Sequence, residues 1–231
     1  MTEETPSLAG IEFFADLPAA DLQGLAKACR WRRYQAGQQI VGHQDEGTDV
    51  YFVVSGKVQA VVYSPSGKEV TFGDITAGTT FGELAAIDGR PRSATIVALA
   101  DTEIASLSAD AFRQVLNRHP EVATKVLARL ADLVRSLSNR VFEFSTLAVK
   151  NRIHAELLRL ARRSGIEDNR ATLSPAPTHS EIASRVSTHR EAVTRELNAM
   201  AKDGLIERSG GGLVVTDVER LAEMVEEVTG E

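Results

Sequence analysis

The chain has 231 residues, of which 43% are hydrophobic and 25% charged, and its formal net charge at pH 7 is −6. This length and composition are typical of a globular protein with one large or two smaller domains, and a disordered chain is not the expectation. The single Cys29 excludes a disulfide framework and a four-cysteine cluster, and the five scattered histidines lack the close spacing of a metal site.

The start of the chain, residues 1–4, is acidic and unlike a secretion signal, and no run of about 18 apolar residues occurs. We therefore expect a cytoplasmic protein that does not use a membrane. The charge is unevenly distributed, since residues 148–215 carry 11 basic and 8 acidic side chains. That positive balance permits contact with phosphate near the C-terminus.

The first half of the chain changes from helical to β-type patterns. Residues 7–33 are predicted to be helical, with Leu22, Leu25 and Ala26 at helical spacing. From Tyr34 onward, glycines separate short runs of β-forming residues, and Ser55-Gly56 is a hairpin signal between runs 50–54 and 57–63. Further strands are expected at 70–72, 94–99 and 103–107. Such spacing predicts a compact antiparallel β-barrel or roll.

The stretch 81–95 places a carboxylate, Glu83, and a guanidinium, Arg92, nine residues apart around a turn marked by glycine and proline. A carboxylate accepts hydrogen bonds from hydroxyls, and an arginine binds anions. The pattern therefore predicts a pocket for a ligand that carries both hydroxyls and a negative charge. The alternative is a plain ion pair across the turn.

Helical spacing begins at Ala109, with Pro120 in the first turn of the long part. Apolar residues then recur at steps of three and four, namely Val126, Leu130, Leu133, Leu137, Val141 and Phe144. This near-heptad pattern predicts that the 121–144 helix forms a homodimer by facing its own copy. A helix packed on its own barrel is the alternative.

A second helix follows from Val149, and residues 164–177 have the composition of a loop. Thr178 and Glu181 then stand at capping-box spacing before one short helix, and Thr188 and Glu191 repeat that spacing before a second short helix. A hairpin is predicted across Gly210-Gly211-Gly212. Two short capped helices and a hairpin indicate a winged helix-turn-helix.

The outer face of the second short helix carries Arg190, Glu191, Thr194 and Arg195. Arginine can donate two hydrogen bonds to guanine, and a carboxylate can accept one from the cytosine amino group. These residue types suit a helix in the major groove of double-stranded DNA. The alternative is a small helical module with a solvated charged face.

In this order of elements the chain resembles the cAMP receptor protein family, also called the Crp/Fnr family of transcription regulators. The most specific pieces are FGELA at 81–85 with PRSAT at 91–95, and REAVTREL at 190–197. The first piece is also similar to the phosphate-binding cassette of cAMP-dependent protein kinase regulatory subunits.

The resemblance implies a cyclic nucleotide as allosteric effector, without metal or prosthetic group. Glu83 would accept from the ribose hydroxyl, Arg92 would bind the cyclic phosphate, and Ser138 would contact the purine across the dimer. The full set of implied ligand contacts is Gly82, Glu83, Leu84, Ala85, Arg92, Ser93 and Ser138. The resemblance favours cAMP. Leu137 stands where cAMP receptors usually have threonine, and the Ser93 hydroxyl also suits guanine, so cGMP is the competitor.

For DNA, the resemblance implies that Arg190 and Arg195 contact guanines and Glu191 a cytosine, in half-sites such as TGTGA of a two-fold symmetric operator. The implied DNA contacts are Thr178, His179, Thr188, Arg190, Glu191, Thr194 and Arg195. RNA polymerase is the expected protein partner.

The sequence thus predicts an α+β protein in three parts: an antiparallel β-roll that binds cyclic nucleotide (1–108), a dimerisation helix (109–146) and a winged helix-turn-helix (147–231). Its expected function is allosteric, ligand-dependent DNA binding, not enzymatic catalysis. Two alternatives remain open. One is a family member that senses another ligand, such as haem bound by His43 or His119, and the other is a cyclic-nucleotide adaptor that binds protein instead of DNA.

Overall fold

The computed structural model describes residues 7–230, so the acidic start at residues 1–4 lies outside the described residues. The chain divides into two compact units between Leu133 and Val134. This division falls inside the long helix, whereas the sequence places boundaries after residues 108 and 146. None of the helices among residues 7–230 has the length and apolarity that a membrane span needs.

The first unit begins with a 3-10 helix, Glu12–Phe14, and helix α1, Ala19–Ala28. The following elements are β1 (Arg30–Tyr34), β2 (Gln39–Val41), β3 (Val50–Ser55), β4 (Lys57–Tyr63), β5 (Glu69–Thr76), β6 (Thr80–Phe81), α2 (Glu83–Asp88), β7 (Thr95–Ala98) and β8 (Thr102–Leu107). The predicted strands are confirmed, with a turn at Ser55-Gly56 between β3 and β4. The predicted hairpin at Ser55-Gly56 is wrong, because β3 pairs with β6 and β8 whereas β4 pairs with β5 and β7.

The eight strands form two four-stranded antiparallel sheets, in the orders β1-β8-β3-β6 and β2-β7-β4-β5. Alternation along β3 sends Val53 into a core built from both sheets and sends Val50 and Phe52 to the opposite face. That opposite face packs against the 3-10 helix through Phe14 and against the helix that follows β8 through Phe112. The fold of this unit is therefore the predicted roll, covered by helices on one face.

The segment 109–146 consists of two helices, α3 (Ala109–Arg118) and α4 (Pro120–Thr146). The Ser108 side chain caps α3 by accepting the Ala111 N–H, and His119 separates the two helices. Pro120 begins α4, where its missing N–H removes no helical hydrogen bond. The first turns of α4 bury Val122 and Val126 in the core of the first unit.

The second unit contains, after the end of α4, α5 (Val149–Ser164), β9 (Ala171–Leu173), α6 (His179–Arg185), α7 (Arg190–Lys202), β10 (Ile206–Ser209), β11 (Gly212–Val215) and α8 (Val218–Thr229). Its strands form one antiparallel sheet in the order β10-β11-β9. Helices α5 to α8 and this sheet enclose a single apolar core. The predicted hairpin is confirmed, with Gly210 and Gly211 at positive φ between β10 and β11.

Two short strands were predicted as other structure. Residues 30–33 were predicted helical, but α1 ends at Ala28 and β1 pairs with β8. Residues 171–173 were predicted to be loop, but they pair with β11. Both are edge strands of three to five residues whose partners lie far away in the sequence, so local patterns carry little information about them.

Candidate functional site

The candidate ligand pocket is built around the turn between β6 and α2. Gly82 adopts a φ of +82° and lies directly before the first residue of α2, Glu83. A Cβ at Gly82 would lie 2.7 Å from Arg92 Nη1 and 2.9 Å from the Asp49 carbonyl oxygen. Only glycine allows this backbone to approach so closely, and the turn leaves the first N–H groups of α2, those of Leu84 and Ala85, without helical partners.

Arg92 is buried, with 3% of its surface exposed. Its Nη1 donates to the Gly82 carbonyl at 3.1 Å and its Nη2 donates to the Asp49 carbonyl at 2.8 Å. Its Nε is buried and has no hydrogen-bond partner within residues 7–230. A buried cation without a counter-anion is unfavourable, so this site is suited to receive a negatively charged group.

An aromatic platform and a loop hold Arg92 in place. The guanidinium lies 5.2 Å from the ring centroid of Tyr51, and that ring stacks on Phe81 with centroids 4.9 Å apart. The Arg92 backbone N–H donates to the Asp45 carbonyl, and its carbonyl accepts the Gln44 N–H, each at 2.9 Å. Tyr51 was not predicted as a pocket residue, because a tyrosine in a strand is an ordinary β-forming residue.

The Glu83 side chain is also mostly buried, and its Oε2 has no hydrogen-bond partner among the described residues. Burial raises the pKa of Glu83, while its own backbone N–H, Arg129 of α4 and Arg92 lower that pKa. Arg129, which the sequence analysis did not single out, therefore links the pocket electrostatically to the long helix.

Glu83 and Arg92 form no ion pair with each other, so the alternative of a plain pair across the turn is wrong. Within residues 7–230, three buried side-chain polar atoms lack a partner, and two of them are Glu83 Oε2 and Arg92 Nε. The third is Thr80 Oγ1, two residues before Gly82. Unpaired buried polar atoms are rare in folded proteins, and their concentration here marks a site for a polar ligand.

The remaining predicted ligand residues lie in different surroundings. Ala85 is buried, and Leu84 and Ser93 are exposed beside Glu83 and Arg92 in the sequence. Ser138 is an exposed residue of α4 in the second unit. The structure thus brings Gly82, Glu83 and Arg92 together, with Leu84, Ala85 and Ser93 adjoining them along the chain.

Replacing Gly82 by alanine is expected to damage the pocket. The new Cβ would clash with Arg92 and Asp49, and the left-handed backbone adds about 1–2 kcal/mol for a non-glycine residue. We expect a lower melting temperature and at least about a tenfold loss of cyclic-nucleotide affinity, measured by calorimetry.

Gly89→Ala is the matched control, because Gly89 also has a positive φ, +69°, but its Cβ would have no atom within 4 Å. It should lower stability while leaving nucleotide affinity unchanged. Equal affinity loss in both variants would show that the backbone strain matters and the close approach at Gly82 does not.

A stripe of exposed apolar residues runs along α4 at heptad spacing. It consists of Leu127, Val134, Leu137, Val141 and Phe144, and Val134 and Val141 are 63% and 65% exposed. The predicted seam was shifted at its start, since Val126 is 2% exposed and belongs to the core of the first unit. The apolar spacing alone did not distinguish the face of α4 that packs in the core of the first unit from the face that carries the exposed stripe, because the two faces are adjacent on the helix.

Polar contacts tie the last turns of α4 to the predicted DNA-binding module. Arg140 Nη2 of α4 donates to the Arg185 carbonyl at the end of α6, and Arg152 Nε of α5, the next helix, donates to the Val186 carbonyl. Arg159 of α5 donates to Glu143 of α4 at 2.6 Å. The distal end of the long helix and the first short helix are therefore connected directly.

The predicted helix-turn-helix is present as α6 and α7. The Thr178 side chain accepts the Glu181 N–H at 3.1 Å, and the Glu181 carboxylate accepts the Thr178 N–H at 2.6 Å, so this capping box is confirmed. The second predicted cap is wrong, because His189, not Thr188, precedes the first residue of α7. Ser187 takes a positive φ in the turn between the two helices.

The face of α7 opposite the core carries the predicted DNA-contacting side chains. Val193 and Leu197 are buried, whereas Arg190, Glu191 and Arg195 are exposed. Thr194 is half-buried and its hydroxyl donates to the Arg190 carbonyl. The predicted set on α7 therefore shares one accessible face, with Thr178 and Thr188 on the segments that lead into α6 and α7.

The roll with its pocket, followed by a helix-turn-helix with a wing, defines a ligand-sensing DNA-binding regulator. Residues 31–119 match the cyclic nucleotide-binding domain model, and residues 151–224 match the Crp-like helix-turn-helix domain model. The chain is 32% identical to the cyclic AMP receptor protein of Thermus thermophilus over 195 residues, which are 84% of this chain and 87% of that protein.

The chain is also 28% identical to the CRP-like cAMP-activated global transcriptional regulator of Mycobacterium tuberculosis over 221 residues, covering 95% of this chain and 98% of the relative. A solved structure of a CooA mutant from Carboxydothermus hydrogenoformans shares the fold, with a TM-score of 0.77 and 24% identity, covering 87% and 90% of the two chains. This chain belongs to the Crp/Fnr family of transcription regulators. It is a cyclic nucleotide-responsive DNA-binding regulator with the predicted α+β architecture.

Proposed function

We propose that the effector is a cyclic mononucleotide, with cAMP favoured over cGMP, and that it controls binding to a two-fold symmetric operator. The observation that carries this proposal is the pair of buried, unpaired groups on Arg92 and Glu83. A cyclic phosphate supplies the missing anion, and the neighbouring ribose hydroxyl supplies a donor for the carboxylate.

In this proposal, the preference for adenine or guanine in the cyclic nucleotide depends on residues other than Arg92 and Glu83. Ser93 and Ser138 are exposed and offer hydroxyls, while Leu137 offers only an apolar surface. An adenine ring needs fewer polar partners than guanine, whose 2-amino group requires an acceptor. The two relatives reported above are named for cyclic AMP, which also supports cAMP.

The experiment is a calorimetric titration of the chain with cAMP, cGMP and adenosine. We expect cAMP to bind more tightly than cGMP, and adenosine, which lacks the phosphate, to bind at least about a hundredfold more weakly than cAMP. Equal binding of adenosine and cAMP would contradict the phosphate site. Tighter binding of cGMP would reverse the base preference and leave the site intact.

The occupant we propose for the exposed stripe of α4 is a second copy of this chain. The half-buried Leu130 lies between Leu127 and Val134, and with it the stripe alternates steps of three and four residues, the spacing of a two-stranded helical seam. Two identical stripes are complementary around a two-fold axis, and such a dimer also matches a two-fold operator.

Introducing charge into this stripe is expected to separate the dimer. The double change Val134→Glu and Val141→Glu would bury like charges in the seam, which weakens association by at least about a hundredfold. Sedimentation analysis should therefore show a one-chain particle at concentrations where the unaltered protein is a dimer.

Asn139→Glu is the control, because Asn139 is exposed on the side of α4 away from the stripe. It should remain dimeric. A dimer that survives the double valine change, or a monomeric unaltered protein, would contradict the proposed interface.

The proposed coupling runs along α4. The ligand phosphate would offset the positive charge of Arg92, and the ribose would bind the carboxylate of Glu83. Arg129 of α4 interacts electrostatically with that carboxylate, so ligand binding would change the interaction between Glu83 and α4. At the other end, Arg140 and Glu143 of α4 contact the segment that carries α6 and α5. A change in α4 would then reposition the helix-turn-helix, as in two-state regulation.

In the DNA complex we propose, α7 enters the major groove with Arg190, Glu191 and Arg195 on base edges. Thr178, His179, Thr188 and Thr194 would lie close to the phosphates or the groove wall. We propose RNA polymerase as the protein partner. We propose the cytoplasm as the location, since a DNA-binding regulator acts where DNA and RNA polymerase are present.

A further inference from the structure

A chain of hydrogen bonds connects the wing to the recognition helix. Arg208 of β10 lies with Nη2 3.3 Å from His179 Nε2, and His179 Nδ1 lies 2.7 Å from Thr194 Oγ1 of α7. The Thr194 hydroxyl donates to the Arg190 carbonyl at 3.0 Å. Arg208 was not among the predicted DNA contacts, although it is exposed next to this surface.

The direction of each bond fixes the protonation state of His179. A guanidinium can only donate, so Nε2 must accept and cannot carry a proton. Nδ1 then carries the single ring proton and donates to Thr194, whose own proton is used by the Arg190 carbonyl. His179 is therefore neutral in this arrangement.

The charges around His179 reinforce this state. Arg208 faces it from the wing, Arg190 from the first turn of α7, and Glu181 of its own helix is engaged in the capping box. Burial lowers the pKa of His179, and the positive charges of Arg208 and Arg190 lower that pKa further. Both cations act on His179, and neither Arg208 nor Arg190 forms an ion pair with a carboxylate of residues 7–230.

Resting on the proposed DNA-binding function, we propose that Arg208 is a further DNA-phosphate contact and that operator binding is proton-linked through His179. When Arg208 turns to a phosphate, Nε2 loses its donor and faces the negative backbone. It takes a proton from the buffer, and the resulting imidazolium donates from Nε2 to phosphate while Nδ1 keeps its bond to Thr194.

The sign of the pH dependence follows. Phosphate next to His179 raises its pKa in the complex above its lowered value in the free chain, so binding takes up a proton between those two values. Operator affinity therefore rises as pH falls through that window, by up to about tenfold for each subunit per unit of pKa gained. It levels off above and below the window.

The test measures binding of a duplex with two TGTGA half-sites, with cAMP saturating, from about pH 5.5 to about pH 8. We expect the unaltered protein to bind more tightly at low pH, His179→Gln to lose this dependence, and His189→Gln, at the nearby start of α7, to keep it. Calorimetric titrations with the duplex, in two buffers of different ionisation enthalpy, should show proton uptake on binding by the unaltered protein and none by His179→Gln. A pH profile that is unchanged in His179→Gln overturns the proton linkage.

The phosphate contact is tested separately by salt dependence. Arg208→Gln should reduce the slope of log affinity against log salt by about 0.9 for each lost phosphate contact, whereas Arg163→Gln, an exposed arginine at the end of α5, should not. An unchanged slope in Arg208→Gln overturns the contact. If the unaltered protein does not bind the duplex in any nucleotide state, the proposed function itself fails, which is a different result from pH-independent binding.

Discussion

Arg92→Met is expected to abolish cyclic-nucleotide binding while the chain still folds. The phosphate would lose at least two charge-assisted hydrogen bonds, worth about 1.5–3 kcal/mol each, so affinity should fall by at least about a hundredfold. The fold should survive because methionine fills a similar volume and removes a buried cation that forms no ion pair within residues 7–230. Calorimetry with cAMP measures the loss, and a cooperative thermal transition verifies folding.

Arg90→Met is the matched control, since Arg90 lies two residues away with its side chain 84% exposed. It should bind cAMP as the unaltered protein does. Glu83→Gln tests the second half of the pocket, because the amide keeps the shape of the carboxylate but not its charge. It should weaken cAMP binding less than Arg92→Met. Unchanged affinity in Arg92→Met would refute the pocket assignment.

Arg190→Ala is expected to relax operator selectivity at one base pair. A bidentate arginine–guanine contact contributes about 1–3 kcal/mol of discrimination, so the preference at that position should fall about five- to 150-fold. The measurement compares affinities across duplexes substituted one base pair at a time within the TGTGA half-sites, with cAMP present.

The control for charge is Arg162→Ala, which removes an exposed arginine from the end of α5. It should leave selectivity unaltered at every position. If Arg190→Ala lowers affinity equally for all duplexes, Arg190 binds the DNA backbone, and its assignment to a base is wrong.

The elements that the sequence predicted correctly are those whose cause is local. The strands of the roll are separated by glycines that the turns require, and the capping box of α6 is formed by Thr178 and Glu181 three residues apart. The hairpin at 210–212 follows from consecutive glycines at positive φ. In each case the residues that determine the structure are neighbours in the chain.

The errors share the opposite cause. Strands β1 and β9 exist through pairing with β8 and β11, and β3 and β4 join different sheets instead of pairing with each other. Val126 was assigned to a dimer seam because its spacing fits, but the first unit uses that position for its own core. Long-range packing decides these points, and a single sequence does not record it.

The sequence motif predicted the residues of the pocket but not their contacts. The motif identified Glu83 and Arg92, but it could not exclude an ion pair between them. The structure separates the two groups, because Arg92 is held by two backbone carbonyls and the ring of Tyr51. Within residues 7–230, Arg92 Nε and Glu83 Oε2 are buried without hydrogen-bond partners, and these two atoms make the pocket receptive to a ligand.

The central claim is that a cyclic nucleotide bound near Arg92 controls DNA binding by α7. The most direct measurement is the affinity of the chain for a fluorescent duplex with two TGTGA half-sites, with and without saturating cAMP. We expect cAMP to increase the affinity by about five- to 150-fold, the usual range of allosteric coupling, and Arg92→Met to remove the increase. Identical affinity with and without bound cAMP, or no DNA binding in either state, would contradict the account.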